Sequence, residues 1–156
     1  GVIGSNWGIN RTMAQIHALL LIAPDSLSAE DVMEGLQISR GNANMNLREL
    51  MDWGLVYKEL KPGERKEYFL ADKDIWNVIK KIIKERRKRE IEPVIEVLEE
   101  LSNVKGDLQD PHFKQYQDTM KELQKYTTTG DRLLRKLTKA EESWIMGPLF
   151  KFFIKK

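Results

Sequence analysis

The chain contains no cysteine. That excludes disulfides, a thiolate nucleophile and Cys-ligated zinc, and it accords with a cytoplasmic setting. Histidine is nearly absent too: His17 and His112 are the two present, and neither has a second candidate ligand close by. No apolar run approaches the roughly 20 residues that a membrane span needs, and no signal peptide is visible. There is no glycine-rich phosphate loop and no metal-ligand spacing. Excess charge is missing as well, because 26 lysines and arginines against 24 aspartates and glutamates leave a net charge of +2. The carboxylates sit beside lysines and arginines on helix surfaces, the pattern of solvated faces. These absences argue against an enzyme, a cofactor, a metal site and a membrane partner, and the near-neutral charge gives a nucleic-acid partner little support by itself.

What is present is a sequence of well-punctuated helices. A chain of 156 residues, 41% hydrophobic and 32% charged, can bury one sizeable core, or one small domain with an oligomerisation arm. Asn10 caps a first helix from Arg11 to about Ala23. Its Ala14, Ile16, Ala18, Leu19, Leu20, Leu21 and Ile22 are too apolar for a half-exposed helix, so a core helix is expected, stopped by Pro24. His17 within it is expected to be buried and hydrogen-bonded. Ser28 and Asp31 open a second, short helix to about Leu36 with an N-terminal cap and an acidic first turn, and Gly35 to Ile38 makes a tight connection.

Ser39 then caps a third helix, over 39–53, that Gly54 ends. Ala43, Leu47, Leu50 and Met51 fall at i, i+4, i+7 and i+8 and form its apolar face. The opposite face carries Gly41, Asn42, Met45, Arg48 and Glu49, flanked by Arg40 and Asn44. Short amides, a guanidinium and a small residue suit a helix that pushes one face into a groove of base edges. Two helices joined by about four residues have helix-turn-helix spacing, which a plain structural helical hairpin explains equally well. The next stretch favours the first reading. Residues 55–60 form a β-rich run, 61–66 a turn with Pro62 and Gly63, and 67–70 a returning strand. A basic hairpin directly after a helix-turn-helix is a wing, whose Lys61, Arg65 and Lys66 would reach phosphates or an adjacent minor groove.

From Asp74 the pattern changes to long helices. Ile75, Val78, Ile79, Ile82 and Ile83 form one stripe, continued by Ile91, Val94, Ile95, Leu98 and Leu101. The basic run 84–89 lies between them, open both to a phosphate contact and to ion pairing. Pro93 either kinks this helix or starts its second half. After a break at 106–110, Phe113, Tyr116, Met120, Leu123, Thr127, Gly130, Leu134 and Leu137 make a heptad-like seam, which Thr127–Gly130 is expected to dilute or interrupt. Thr138 is expected to cap a last helical piece bearing Trp144 and Ile145, followed by an apolar tail over 149–154 that needs a docking surface.

Several of these segments carry a family resemblance: Trp7–Leu20, Ile38–Leu50, Trp53–Val56 and Arg86–Pro93. Together, and in this order, the chain resembles the MarR-like transcriptional regulators of the GbsR group. The resemblance implies a dimeric winged-helix regulator of double-stranded DNA, in a group whose best-known members respond to choline. Two positions depart from the family pattern. Met45 stands where relatives are often polar, which points to contact with a thymine methyl. The wing tip reads Glu64-Arg65-Lys66 where many relatives have Asp-Arg-Arg, so the wing arginine role passes to Arg65 alone.

The expectation is thus a mainly α protein with a small β-hairpin wing. Residues 1–73 form a winged helix-turn-helix DNA-binding domain and 74–156 a helical dimerisation region. The expected function is a homodimeric, sequence-specific repressor on a near-palindromic operator, with Ser39, Arg40, Gly41, Asn42, Asn44, Met45, Arg48, Lys61, Arg65 and Lys66 at the DNA. Trp7, Trp53, Trp76 and Trp144 are candidate walls of a small-molecule effector pocket, where a cation would rest on aromatic faces; indoles at helix junctions also serve as plain core. The alternative function is a winged-helix protein–protein assembly module that binds no DNA.

Overall fold

The computed structural model describes residues 10–140. These residues divide between Lys81 and Ile82 into two compact units.

In the first unit, α1 (Arg11–Ile22) starts at Asn10, whose side chain accepts from the Thr12 amide at 2.9 Å. Met13, Ile16 and Leu20 recur every three or four residues and are buried, whereas Ile22 is 80% exposed and Ala18 is exposed. The helix is therefore one-sided and not the core helix its composition predicts, because a unit this small covers only one helix face. The end of α1 is held by Lys73, whose ammonium donates to the carbonyls of Leu20, Leu21 and Ala23 at 2.7–2.8 Å. These last-turn carbonyls have no partner within the helix, and a cation suits that end of its dipole.

A two-residue strand follows, β1 (Leu27–Ser28), and then α2 (Ala29–Leu36). Ser28 and Asp31 form a reciprocal capping box: the Asp31 amide donates to Ser28 Oγ at 3.2 Å, and the Ser28 amide to Asp31 Oδ2 at 2.7 Å. Gln37 takes a left-handed conformation, φ 54°, and turns the chain into α3 (Arg40–Asp52), capped by Ser39. At the far end Gly54, at φ 68°, supplies the left-handed residue that lets the chain leave the helix. The strands β2 (Val56–Leu60) and β3 (Glu67–Ala71) pair antiparallel with Lys58 opposite Phe69, and β1 joins the other side of β3 with Leu27 opposite Phe69. The sheet order is β1-β3-β2. Its third strand, β1, is not anticipated by the sequence. The core gathers Met13, Ile16, Leu20, Val32, Ala43, Leu47, Leu50, Leu55, Val56 and Phe69. This is the mainly α fold with a small sheet and wing expected for a winged helix-turn-helix.

The helix α4 (Ile75–Arg86) passes into a π-helical turn, Arg87–Ile91, and then α5 (Glu92–Ser102). The Glu92 amide reaches back five residues to the Arg87 carbonyl. Pro93 lies in the first turn of α5, so it starts the second half. The wider turn before it relieves the clash its ring would otherwise make with the preceding turn.

In the second unit, α6 (Pro111–Lys139) is capped by Asp110 and packs on α5. Tyr116 donates to the Leu101 carbonyl at 3.0 Å. The helix runs unbroken through Thr127–Gly130, where the sequence predicts an interruption. A glycine inside a helix costs only about 1 kcal/mol, and the neighbouring residues hold the helix in place. Thr129 donates to the Lys125 carbonyl, and Asp131 is clamped by Arg87 at 2.8 Å and Arg135 at 2.7 Å. Thr138 is in the last turn, donating to Arg135 O, and so does not cap a new helix. The expected final helical piece and apolar tail lie outside the described residues. The heptad seam also divides. Phe113, Tyr116, Met120, Thr127 and Leu134 are half-buried together with Gln124. Leu123, Gly130 and Leu137 are exposed and join Tyr126 and Leu133 in a second stripe at alternating steps of three and four.

Candidate nucleic-acid interface

The site begins with the two faces of α3. Ala43, Asn46, Leu47 and Leu50 are fully buried, which fixes the helix's rotation and leaves Arg40, Gly41, Asn44, Met45 and Arg48 exposed. Ser39 Oγ accepts from the Asn42 amide at 3.3 Å, a cap that stabilises such helices by about 1 kcal/mol. A Cβ added at Gly41 would meet nothing within 4 Å, so the helix N-terminus is open to close approach by an anionic backbone. Met45 is 58% exposed, an apolar surface at the centre of the outward face.

Asn46 is the residue the sequence reading missed. It occupies the apolar stripe, between Ala43 and Leu50 at helical spacing, and is 0% exposed. Its Nδ2 donates to the Asn42 carbonyl at 2.8 Å and to Asn42 Oδ1 at 2.7 Å, while its own Oδ1 is buried without a partner. A buried unpaired acceptor costs about 1–3 kcal/mol. Asn42 itself is half-buried. The signal was legible: an amide at a position that the helical period assigns to the core.

The wing and α3 flank the same end of α2. Arg40 lies 3.5 Å from Glu30, and hydrogen bonds from Ser28 hold the neighbouring Asp31 carboxyl below its ordinary value, helped by the charges of Lys66 and Lys61. At the wing, Lys61 Nζ sits 4.0 Å over the Tyr68 ring, Tyr68 donates to Glu64, and Lys58 pairs with Glu67. Arg65 and Lys66 are exposed at the tip. Of the basic run 84–89, Arg86 pairs with Glu90 and Arg87 with Glu92 and Asp131, so these two guanidinia serve the helices that carry them.

Two of the four indoles fall among the described residues. Trp53 is the buried C-terminal cap of α3 and Trp76 is half-buried in the first turn of α4; Trp7 and Trp144 lie outside those residues. His17 is buried at Nε2 without a hydrogen-bond partner, unlike the satisfied core histidine expected. Among the described residues no cluster of acidic or histidine side chains could hold a metal, and no helix is long and apolar enough to cross a membrane.

Residues 7–67, which cover α1 to the start of β3, match the profile of the MarR family. That match spans 61 of the chain's 156 residues and lies on its winged-helix segment. Over 103 residues this chain is 25% identical to the HTH-type transcriptional repressor GbsR of Bacillus subtilis, a match covering 66% of the chain and 55% of that protein. The chain thus spans about half the length of that relative. Its fold is similar to that in a crystal structure of a transcriptional regulator, with a TM-score of 0.62 at 18% identity over 86% of this chain and 87% of that one. A structure of S. aureus MepR bound to an oligodeoxyribonucleotide is more distant, with a TM-score of 0.43 at 15% identity over 78% of this chain and 84% of that one.

Proposed function

We propose that this chain is a sequence-specific, DNA-binding transcriptional regulator that works as a homodimer in the cytoplasm. The observation that carries the reading is the division of α3, one face sealed in the core and the other presenting Arg40, Gly41, Asn44, Met45 and Arg48 beside a wing tipped by Arg65 and Lys66. In this reading α3 enters a major groove. Arg48 and Asn44 contact base edges, Met45 rests on a thymine methyl, and Arg40 with the N-terminal amides of α3 meets phosphates. The wing cations reach the flanking backbone or minor groove. Dimerisation is supported by the exposed stripe Leu123, Tyr126, Leu133 and Leu137 on α6, and two-fold symmetry entails a near-palindromic operator. The repressor name of the Bacillus subtilis relative favours repression. A small-molecule effector would act by preferring one separation of the two α3 helices, with Trp53 and Trp76 as the described candidates to line its site.

The test is duplex binding at several salt concentrations by the wild type and by Arg48→Glu and Arg65→Glu. The reading expects affinity to fall steeply with salt and each reversal to weaken binding and flatten the slope by about one unit. Affinities and slopes indifferent to both reversals would favour the protein-assembly alternative.

A further inference from the structure

We infer that two copies of this chain join through one exposed apolar face shared by α5 and α6, with α5 of each protomer laid against α6 of its partner. The inference rests on the proposed homodimer and assigns its pairing.

The face is built within the second unit. α5 and α6 run antiparallel: the Tyr116 hydroxyl reaches the Leu101 carbonyl near the connection between them, and Arg87, just before α5, reaches Asp131. Ile95, Leu98 and Ser102 mark the side of α5 turned to α6, and Met120, Gln124, Thr127 and Asp131 the side of α6 turned to α5. A further stripe on each helix is apolar and exposed: Val94, Val97 and Leu101 on α5, and Leu123, Tyr126, Leu133 and Leu137 on α6. At about 3.6 residues per turn, each stripe lies roughly 100° from its helix's inward side, displaced in the same rotational sense on both helices. Equal displacements on antiparallel helices bring both stripes to one side of the pair. The helical hairpin therefore presents a single apolar face, the mark of an interaction site.

Charge decides how a second copy covers it. α5 holds four glutamates and no lysine or arginine, whereas α6 holds seven lysines and arginines against three acids. Two-fold symmetry allows two arrangements. With the axis across the helices, α5 faces α5 and α6 faces α6, acid against acid and base against base. With the axis along the helices, α5 faces the partner's α6 twice over and the charges are complementary. The second arrangement also leaves every residue at its own height along the hairpin. Val94, midway between Arg87 and Leu101, then meets the partner near Leu123, which is midway between Tyr116 and Asp131. At the border of the two stripes the exposed Glu96 comes beside the partner's exposed Lys125.

The test uses the full chain and variants confined to exposed positions. Sedimentation over a concentration series reads dimerisation. Glu96→Lys and Lys125→Glu are each expected to weaken it about tenfold, because every dimer holds the contact twice, and the double variant to return within about twofold of the wild type. The crosswise axis gives the opposite sign, since either reversal alone then relieves repulsion. The lack of cysteine allows a second readout by cross-linking. A short bis-maleimide should join Val94→Cys to Leu123→Cys when the two variants are co-expressed, and should join neither variant to itself. Tighter dimers from the single reversals, no recovery in the double variant, or self-cross-linking of either cysteine variant overturns the pairing while leaving the homodimer. A wild type that stays monomeric overturns the homodimer and the pairing together.

Discussion

Lys81 Nζ lies 2.7 Å from Asp72 Oδ2, and it donates also to the Gly54 carbonyl at 2.7 Å and the Tyr57 hydroxyl at 2.6 Å. One ammonium thus uses all three of its donors to tie α4 to the turn that ends α3, to β2 and to the residue after β3. Asp72 also accepts from Asn77 at 2.6 Å. The pose of the candidate DNA-reading helix depends on this node.

Both members of the pair are largely buried, so Lys81→Met leaves an uncompensated carboxylate. The expected cost is about 2–3 kcal/mol in denaturant unfolding, and Asp72→Asn in the same background should recover part of it. Burial pushes the Asp72 carboxyl up, but hydrogen bonds from Lys81, the Asp74 amide and Asn77 outweigh it and hold it below its ordinary 3.8. A depressed folded value gives stability that is present above the ordinary value and lost as pH falls through the folded one. Unfolding below about pH 4 is therefore expected to be less pH-dependent in Lys81→Met than in the wild type.

His17 gives a second pH signature in a different window. Burial holds its imidazole below the ordinary 6.5, with the charge of Asp72 opposing. As pH falls past that value the unfolded chain takes up the proton first, so stability is full above pH 6.5 and declines below it. Melting temperatures measured between pH 7.5 and 5 should fall for the wild type and stay flatter for His17→Leu. Equal slopes would mean that His17 is solvated in the native state.

Asn46 predicts a trade between stability and selectivity. Asn46→Leu removes a buried, unpaired oxygen and adds apolar contact, so the variant is expected to unfold at an equal or higher denaturant concentration. If its base selectivity also changes, the amide is kept for function at the expense of stability. A large loss of stability would instead make it a structural member of the core.

Much of this molecule is readable from local signals. Asn10, Ser28, Ser39 and Asp110 announce their helices because an N-cap acts within three residues, and Gly54 marks the end of α3 for the same reason. What the sequence hides depends on contacts between distant residues. The strand β1 is two residues long and exists only because Leu27 and Ser28 meet Phe69 and Tyr68. Helix α6 continues through Thr127–Gly130 where Asp131 is clamped by Arg87, 44 positions away, and no local propensity records that pair. Composition also misled at α1, since counting apolar residues ignores how many faces a small unit can cover. On α3 the exposed set was legible, whereas the Asn42–Asn46 coupling required knowing that an amide lies inside.

In the proposed homodimer the outer stripe of α6 is the surface that meets the partner. Leu133→Glu, or Tyr126→Glu, places a charge on that exposed apolar stripe and is expected to shift the chain from dimer to monomer in sedimentation at micromolar concentration. Because each subunit would bring one α3 to the operator, DNA affinity should fall in parallel. A variant that stays dimeric would move the dimer interface elsewhere.

The most direct measurement is the footprint of the purified chain on genomic fragments it has itself selected. Two α3 helices related by a two-fold axis should protect a near-palindromic site whose half-site centres lie about 34 Å apart on one face of the duplex. Methylation protection in the major groove of each half-site should disappear with Arg48→Ala. No enrichment of any fragment, or a protected region without dyad symmetry, would contradict the assignment of α3 as one half of a paired reading head.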